Sequence, residues 1–133
     1  MKTLRLFVLI IIPAFVLASV ATQAAELSAE DKTFLTSYEK IGSALAGDNL
    51  ATAKQAAAEL GEQGAALSGS EKIDAARAEF SKLSERAIQL GRGQSGYYVV
   101  NCPMLRKDWL QSSTKISNPY AGSSMPECGV IRK

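Results

Sequence analysis

Residues 73–90 read IDAARAEFSKLSERAIQL, the most regular apolar pattern in this chain of 133 residues. Apolar side chains recur there at intervals of three or four residues, at Ile73, Ala76, Phe80, Leu83, Ala87 and Leu90. That spacing matches the 3.6-residue turn of an α-helix and gives the helix one apolar face. We therefore expect an amphipathic helix that needs other elements to cover it.

Two similar stripes precede this segment. Ser28 and Asp31 form a capping pattern at a helix start, in which the Ser oxygen and the carboxylate satisfy backbone N–H groups. The apolar positions that follow are Phe34, Tyr38, Ile41 and Leu45 in the first stripe, and Leu50, Ala53, Ala57, Leu60, Gly64 and Leu67 in the second. Gly47 and Asp48 separate the two stripes, and the short connections predict an up-down-up three-helix bundle.

The first 24 residues have the features of a cleaved signal peptide. Lys2 and Arg5 precede an unbroken apolar run over 6–17, and small residues fill 18–25. Cleavage is expected after Ala24, with Ala21 as the alternative, so the mature protein would be periplasmic or secreted and free of the membrane. The competing interpretation is an uncleaved anchor, because the charge-free stretch 6–25 is long enough to span a bilayer.

Charge divides the remaining chain into two parts, 25–91 and 92–133. Residues 26–91 carry 11 acidic and 7 basic side chains, whereas 92–133 carry 2 acidic and 6 basic ones. A neutral protein with a mildly basic tail does not have the composition of a nucleic-acid binder. We expect one domain, with a helical bundle over 25–91 and a tail over 92–133 that is attracted to it.

A glycine-rich link joins the two parts. Residues 91–96 spell Gly-x-Gly-x-x-Gly, but a helix precedes them and the strand-like run 97–100 follows. A dinucleotide site needs the reverse order, so these glycines are interpreted as a helix stop and hinge. Residues 107–111 are expected to form a helical turn, and 118–122 a turn.

The fold class predicted from these patterns is mainly α: a three-helix bundle with an irregular C-terminal tail that contains a short two-stranded β element. Residues 129–132 are expected to pair with 97–100. That pairing would bring Cys102 and Cys128 towards each other.

The chain contains no histidine. The usual general base and the Ser-His and Cys-His nucleophile pairs are therefore excluded. The carboxylates lie mainly between basic residues on helix faces, as on a solvated surface, and do not form an acid–base pair. We accordingly expect that the protein is not an enzyme.

The chemically distinctive atoms are four sulfurs in the tail, those of Cys102, Met104, Met125 and Cys128. Thiolate and thioether ligands are soft and select Cu(I), or a similar ion, over harder divalent metals. A Cys-x-Met pair in an extended segment and a Met-x-x-Cys pair in a turn can each direct two sulfurs to one side. One hypothesis is therefore a Cu(I) site with these four residues as ligands.

The alternative is a disulfide between Cys102 and Cys128, since cysteine pairs in exported proteins usually form one. On the chain-entropy model, closing this loop would stabilise the tail by about 3–4 kcal/mol. Met104 and Met125 would then fill gaps in the core, as Tyr97, Tyr98, Trp109 and Tyr120 would pack in it. The protein would be an envelope interaction module that binds no metal.

The tail resembles a domain family of unknown function associated with periplasmic adaptor subunits of heavy-metal (copper) RND efflux systems. The matching motifs are Cys102-Pro103-Met104, Trp109-Leu110, Asn118-Pro119-Tyr120 with Gly122, and Met125 with Cys128-Gly129. The family usually carries a Gly-Ala pair and further polar residues before Trp-Leu, where this chain has only 105–108. The resemblance implies a role in copper or heavy-metal handling, with an efflux adaptor or another envelope protein as partner.

Overall fold

In a computed structural model of this chain, the structure is described for residues 25–132. The predicted signal peptide, 1–24, lies outside the described residues. Helix α1, Ala29–Ala46, begins as predicted, because the Ser28 hydroxyl oxygen accepts a hydrogen bond from the Asp31 N–H at 3.1 Å. No helix within 25–132 combines the length and the apolar character that crossing a bilayer would require.

The second predicted helix is interrupted. Helix α2 covers only Leu50–Ala58, a 3-10 turn follows at Gly61–Gly64, and α3 is the single turn Ala65–Ser68. Gly61 lies in the left-handed region at φ +58°, which glycine adopts without the steric cost of a Cβ. Gly64 meets the Ala57 carbonyl so closely that a Cβ there would clash. The helix is therefore interrupted at a point where the periodicity predicted a continuous one.

Helix α4, Ile73–Gly91, confirms the helix predicted over 73–90. Its buried face carries Ala76, Phe80, Leu83, Ser84, Ala87 and Gly91. Gly91 cannot carry a side chain without rearrangement, because a Cβ there would overlap the side chain of Leu110. Residues of the tail can therefore pack directly on the backbone of α4.

The tail forms a three-stranded antiparallel sheet in the order β2-β1-β3. The strands are β1 Tyr98–Cys102, β2 Lys107–Gln111 and β3 Val130–Arg132. The predicted pairing of the chain end with the first strand is present, with Val100 opposite Ile131. The helical turn predicted for 107–111 is wrong, because Trp109 pairs with Val100 on one face while Leu110 is buried against α4 on the other.

The predicted fold class is therefore corrected. The described residues form four helices and a three-stranded antiparallel sheet, and not a three-helix bundle with a two-stranded element. The physical reasons are local: glycines divide the second helix, and two consecutive apolar residues in β2 are buried on both faces of the sheet. The fold stays predominantly helical.

A chain of buried hydroxyls connects the bundle to the sheet. The Leu110 N–H donates to the Tyr38 hydroxyl at 3.2 Å, and the Ser84 hydroxyl lies between those of Tyr38 and Tyr120, at 2.8 and 2.9 Å. The Tyr120 O–H donates to the Asp108 carbonyl oxygen at 3.3 Å. Each group can therefore donate to the next, from the Leu110 N–H of β2 through the three hydroxyls to the Asp108 carbonyl oxygen, which is again in β2.

A second connection joins the helices to the turn after residue 118. Arg77 on α4 donates to the carbonyl oxygens of Pro119 and Leu45, at 2.9 and 3.0 Å, and to the Asp48 carboxylate at 2.7 Å. The Ser123 N–H donates to the same carboxylate at 2.9 Å. Asp48 therefore holds the tail on the bundle, and Asn49 caps α2.

Candidate metal centre

Cys102 is the last residue of the central strand, β1. It pairs with Lys107 on β2, and the residue before it, Asn101, pairs with Val130 on β3. Its exposed fraction is 0%, and it belongs to the same buried cluster as Val100 and Trp109. The sheet therefore holds this sulfur at a fixed position inside the protein.

Cys128 lies just before β3, near the C-terminal end of the tail. Asn101 pairs with Val130, so in this antiparallel register the next position, Cys102, faces the segment that contains Cys128. A Cβ on the intervening Gly129 would lie 2.7 Å from Val100 Cγ1 and 2.9 Å from Trp109 Cη2. The absent side chain therefore allows the Cys128 segment to lie close to the sheet.

The register of β1 and β3 brings the two thiols close enough for each to shift the pKa of the other. Burial raises the pKa of the Cys102 thiol, but hydrogen bonds from the Cys128 thiol, the backbone N–H groups of Leu105 and Met104, and the Asn118 amide outweigh it, so the pKa lies below its usual value. The pKa of Cys128 is raised, because its thiol donates to Cys102 and because burial adds to the effect. The first proton therefore leaves Cys102, and Cys128 keeps its own.

The methionines contribute their backbones to this arrangement. The Met104 N–H lies near both sulfurs, and the Met125 carbonyl oxygen accepts from the Cys128 N–H at 3.2 Å. The side chain of Met104, however, is 73% exposed, and Met125 is half-buried. Of the four predicted ligands, the structure brings the two cysteines together, exposes the Met104 side chain and leaves that of Met125 half-buried.

Asn118 is a site residue that the sequence analysis identified only as part of a turn. It is completely buried, and its side-chain amide donates to the Cys128 carbonyl oxygen at 2.8 Å. Its Oδ1 accepts from the N–H groups of Tyr120 and Ala121, at 2.9 and 3.2 Å. The available signal was the Asn-Pro turn itself, because Asn side chains in turns commonly bond to nearby backbone groups.

Two aromatic residues of the tail pack in the core next to the site. Trp109 and Tyr120 are buried and meet edge to face, with ring centroids 6.2 Å apart. Tyr120 also contacts Phe80 on α4. These rings are core residues, as predicted, and they connect the sheet to the helices.

The chemistry of this donor set suits a soft ion. Two neighbouring cysteine sulfurs, one with its pKa held below the usual value, are ligands that Cu(I) prefers. The same arrangement also suits a disulfide. Within residues 25–132, no three His, Cys, Asp or Glu side chains form a metal-binding group.

Comparisons with family models, with curated proteins and with solved structures give no match to this chain.

Proposed function

We propose that this chain is an exported protein of the periplasm that binds a soft metal ion, in particular Cu(I). Cys102 and Cys128 are its principal ligands, with Met104 and Met125 as additional thioether ligands. The bound ion would be sequestered or passed to a heavy-metal efflux adaptor or another envelope protein. The observation that carries this proposal is the register of β1 and β3, which places Cys102 beside the segment that contains Cys128 although the two residues are far apart in the tail.

The electrostatics around Cys102 support a thiolate ligand. Metal binding requires deprotonated cysteines and releases their protons. Burial disfavours the charged sulfur of Cys102, but the Cys128 thiol, the N–H groups of Met104 and Leu105 and the Asn118 amide together outweigh it and lower the pKa. The folded protein therefore lowers the free energy needed to deprotonate Cys102 before the first metal–sulfur bond forms.

The exposure of the sulfurs supports a route for the ion. Met104 is exposed, Cys128 is half-buried and Cys102 is buried. An ion captured by the surface thioether would move inward by ligand exchange onto the two thiols. The reverse sequence would present the ion to a partner's sulfur ligands, which is the chemistry that a hand-off requires.

The test is competition between the reduced protein and a chromogenic Cu(I) chelator. The protein is to be recovered from a periplasmic extract, where it should begin at Ala25. We expect binding of about one equivalent of Cu(I), because the site holds one thiolate pair. Binding should be lost in the Cys102→Ser, Cys128→Ser double variant and weakened, but not lost, in Met104→Leu.

Ser112→Ala, an exposed change away from the sulfurs, is the control and should bind like the unmodified protein. The double variant should also keep the helical circular dichroism of the parent, so that lost binding is not lost folding. A reduced protein with both thiols titratable that fails to compete for Cu(I) would overturn the proposal. Equal binding by the double variant would show that the metal lies elsewhere.

A further inference from the structure

Cys102 and Cys128 differ in exposure although the register of β1 and β3 places them beside each other. Cys102 is 0% exposed and ends the central strand of the sheet. Cys128 is half-buried, and it lies on the outer segment just before an edge strand. A reagent from solution therefore meets Cys128 before it meets Cys102.

We propose that Cys128 is a site of reversible modification by disulfide-containing oxidants and that Cys102 resolves the adduct, giving a Cys102–Cys128 disulfide. In the first step the Cys128 sulfur attacks a small disulfide, RSSR. The RS–SR bond breaks, a Cys128–SR bond forms, and RS⁻ leaves and takes up the proton released by Cys128. In the second step Cys102 attacks the Cys128 sulfur and releases the second RSH.

Atoms and electrons balance over the two steps. The protein loses two thiol hydrogens and two electrons, and the oxidant is reduced to two RSH molecules. Disulfide exchange requires both access and a thiolate. Cys128 supplies the access, and the proton that its thiol gives up leaves with the departing RS⁻ as RSH.

The second step is favoured by proximity. Cys102 lies beside the segment that carries the sulfur it must attack, because Asn101 pairs with Val130 in the antiparallel register of β1 and β3. A nucleophile held against its target reacts far faster than one arriving from solution. The mixed disulfide at Cys128 is therefore short-lived whenever Cys102 is present.

This modification also regulates the metal site, an extension that rests on the proposed function. The disulfide consumes both sulfur ligands, so an oxidised protein would not bind Cu(I) until it is reduced. A bound ion would in turn occupy both sulfurs and protect them from the oxidant.

The experiment treats the purified, reduced protein with oxidised glutathione and follows intact mass and free thiols with time. The unmodified chain should lose both thiols and gain no glutathione. Cys102→Ser should accumulate a stable glutathione adduct on Cys128. Cys128→Ser should stay unmodified while folded and react only after urea unfolding, which shows that its remaining thiol is intact but buried.

Equal rates of adduct formation in the two folded single variants would overturn the proposal, as would a stable adduct on the unmodified chain. Cu(I) binding by the same samples separates the two ideas. If the reduced protein binds no Cu(I) but follows the expected thiol pattern, only the proposed function fails. If it binds Cu(I) but does not follow the pattern, only this inference fails.

Discussion

At the scale of single residues, Asn118 satisfies several backbone groups at the sulfur site with one buried amide. Its side chain bonds to the Cys128 carbonyl oxygen and to the N–H groups of Tyr120 and Ala121. Burial alone would raise the pKa of Cys102. The Cys128 thiol lowers it more than Asn118 does, and Asn118 adds to that lowering. This residue therefore couples the stability of the turn to the reactivity of the thiols.

Replacing Asn118 by Ala should lower the free energy of unfolding by about 2–4 kcal/mol, because buried backbone groups lose their partners. The same change should slow the resolving attack by Cys102, since one group that stabilises its thiolate is removed. Urea unfolding followed by circular dichroism measures the first effect. The exposed Ser117→Ala is the control, and an Asn118→Ala protein as stable as that control would refute the assignment.

The same residue shows what the sequence could not reveal. The Asn-Pro turn was predictable from local chemistry, because Asn bonds readily within its own turn. Its bond to Cys128 was not, since that carbonyl oxygen arrives only when β3 joins the sheet. The approach of Cys128 to Cys102, by contrast, follows from the strand pairing that the sequence predicts.

At the scale of elements, β3 reaches the sheet because Gly129 has no side chain. A Cβ there would approach Val100, Ile116 and Trp109 to within 2.7–2.9 Å. We expect Gly129→Ala to destabilise the protein by about 1–3 kcal/mol through overpacking. Because the change also pushes Cys128 outward, disulfide formation with oxidised glutathione should slow, and the adduct on Cys128 should become detectable.

Gly47→Ala is the matched control. An added Cβ at Gly47 would lie 3.6 Å from its nearest neighbours, an ordinary contact, and its φ is −90°. Thermal unfolding and the mass time course should therefore show little change in that variant. The prediction for Gly129→Ala fails if both variants behave alike.

Among the elements, sequence periodicity predicted α1 and α4 well because each has one apolar face that recurs at helical spacing. It failed at 107–111, where Trp109 and Leu110 are buried on opposite faces of a strand. Burial on both sides removes the alternation by which a strand is recognised. The position of β2 depends instead on Gly91, which accepts Leu110 from a distant part of the chain.

At the scale of the whole molecule, the hydroxyl chain through Tyr38, Ser84 and Tyr120 connects α1 and α4 to the sheet. Burial raises the pKa of Tyr120 to about 12, and burial also raises that of Tyr38. A folded-state pKa above the usual 10.0 means that the contribution to stability is complete below about pH 10 and is lost as the pH rises through 12.

We therefore expect the melting temperature to fall steeply between about pH 10 and 12, with Tyr38 and Tyr120 ionising together with unfolding. Thermal melts across this range, combined with tyrosinate absorbance, measure both events. In Tyr120→Phe the baseline stability should be lower but the decline with pH shallower, because one of the two groups is absent. An equally steep decline in that variant would contradict this account.

The sheet order has a consequence for how long an ion would stay bound. Cys128 precedes β3, a strand of three residues at the edge of the sheet, whereas Cys102 belongs to the central strand. Short edge strands fray at a smaller free-energy cost than the core. Under the proposed function, the residence time of the ion would follow the opening rate of this strand, and hydrogen exchange at residues 130–132 would report the same rate.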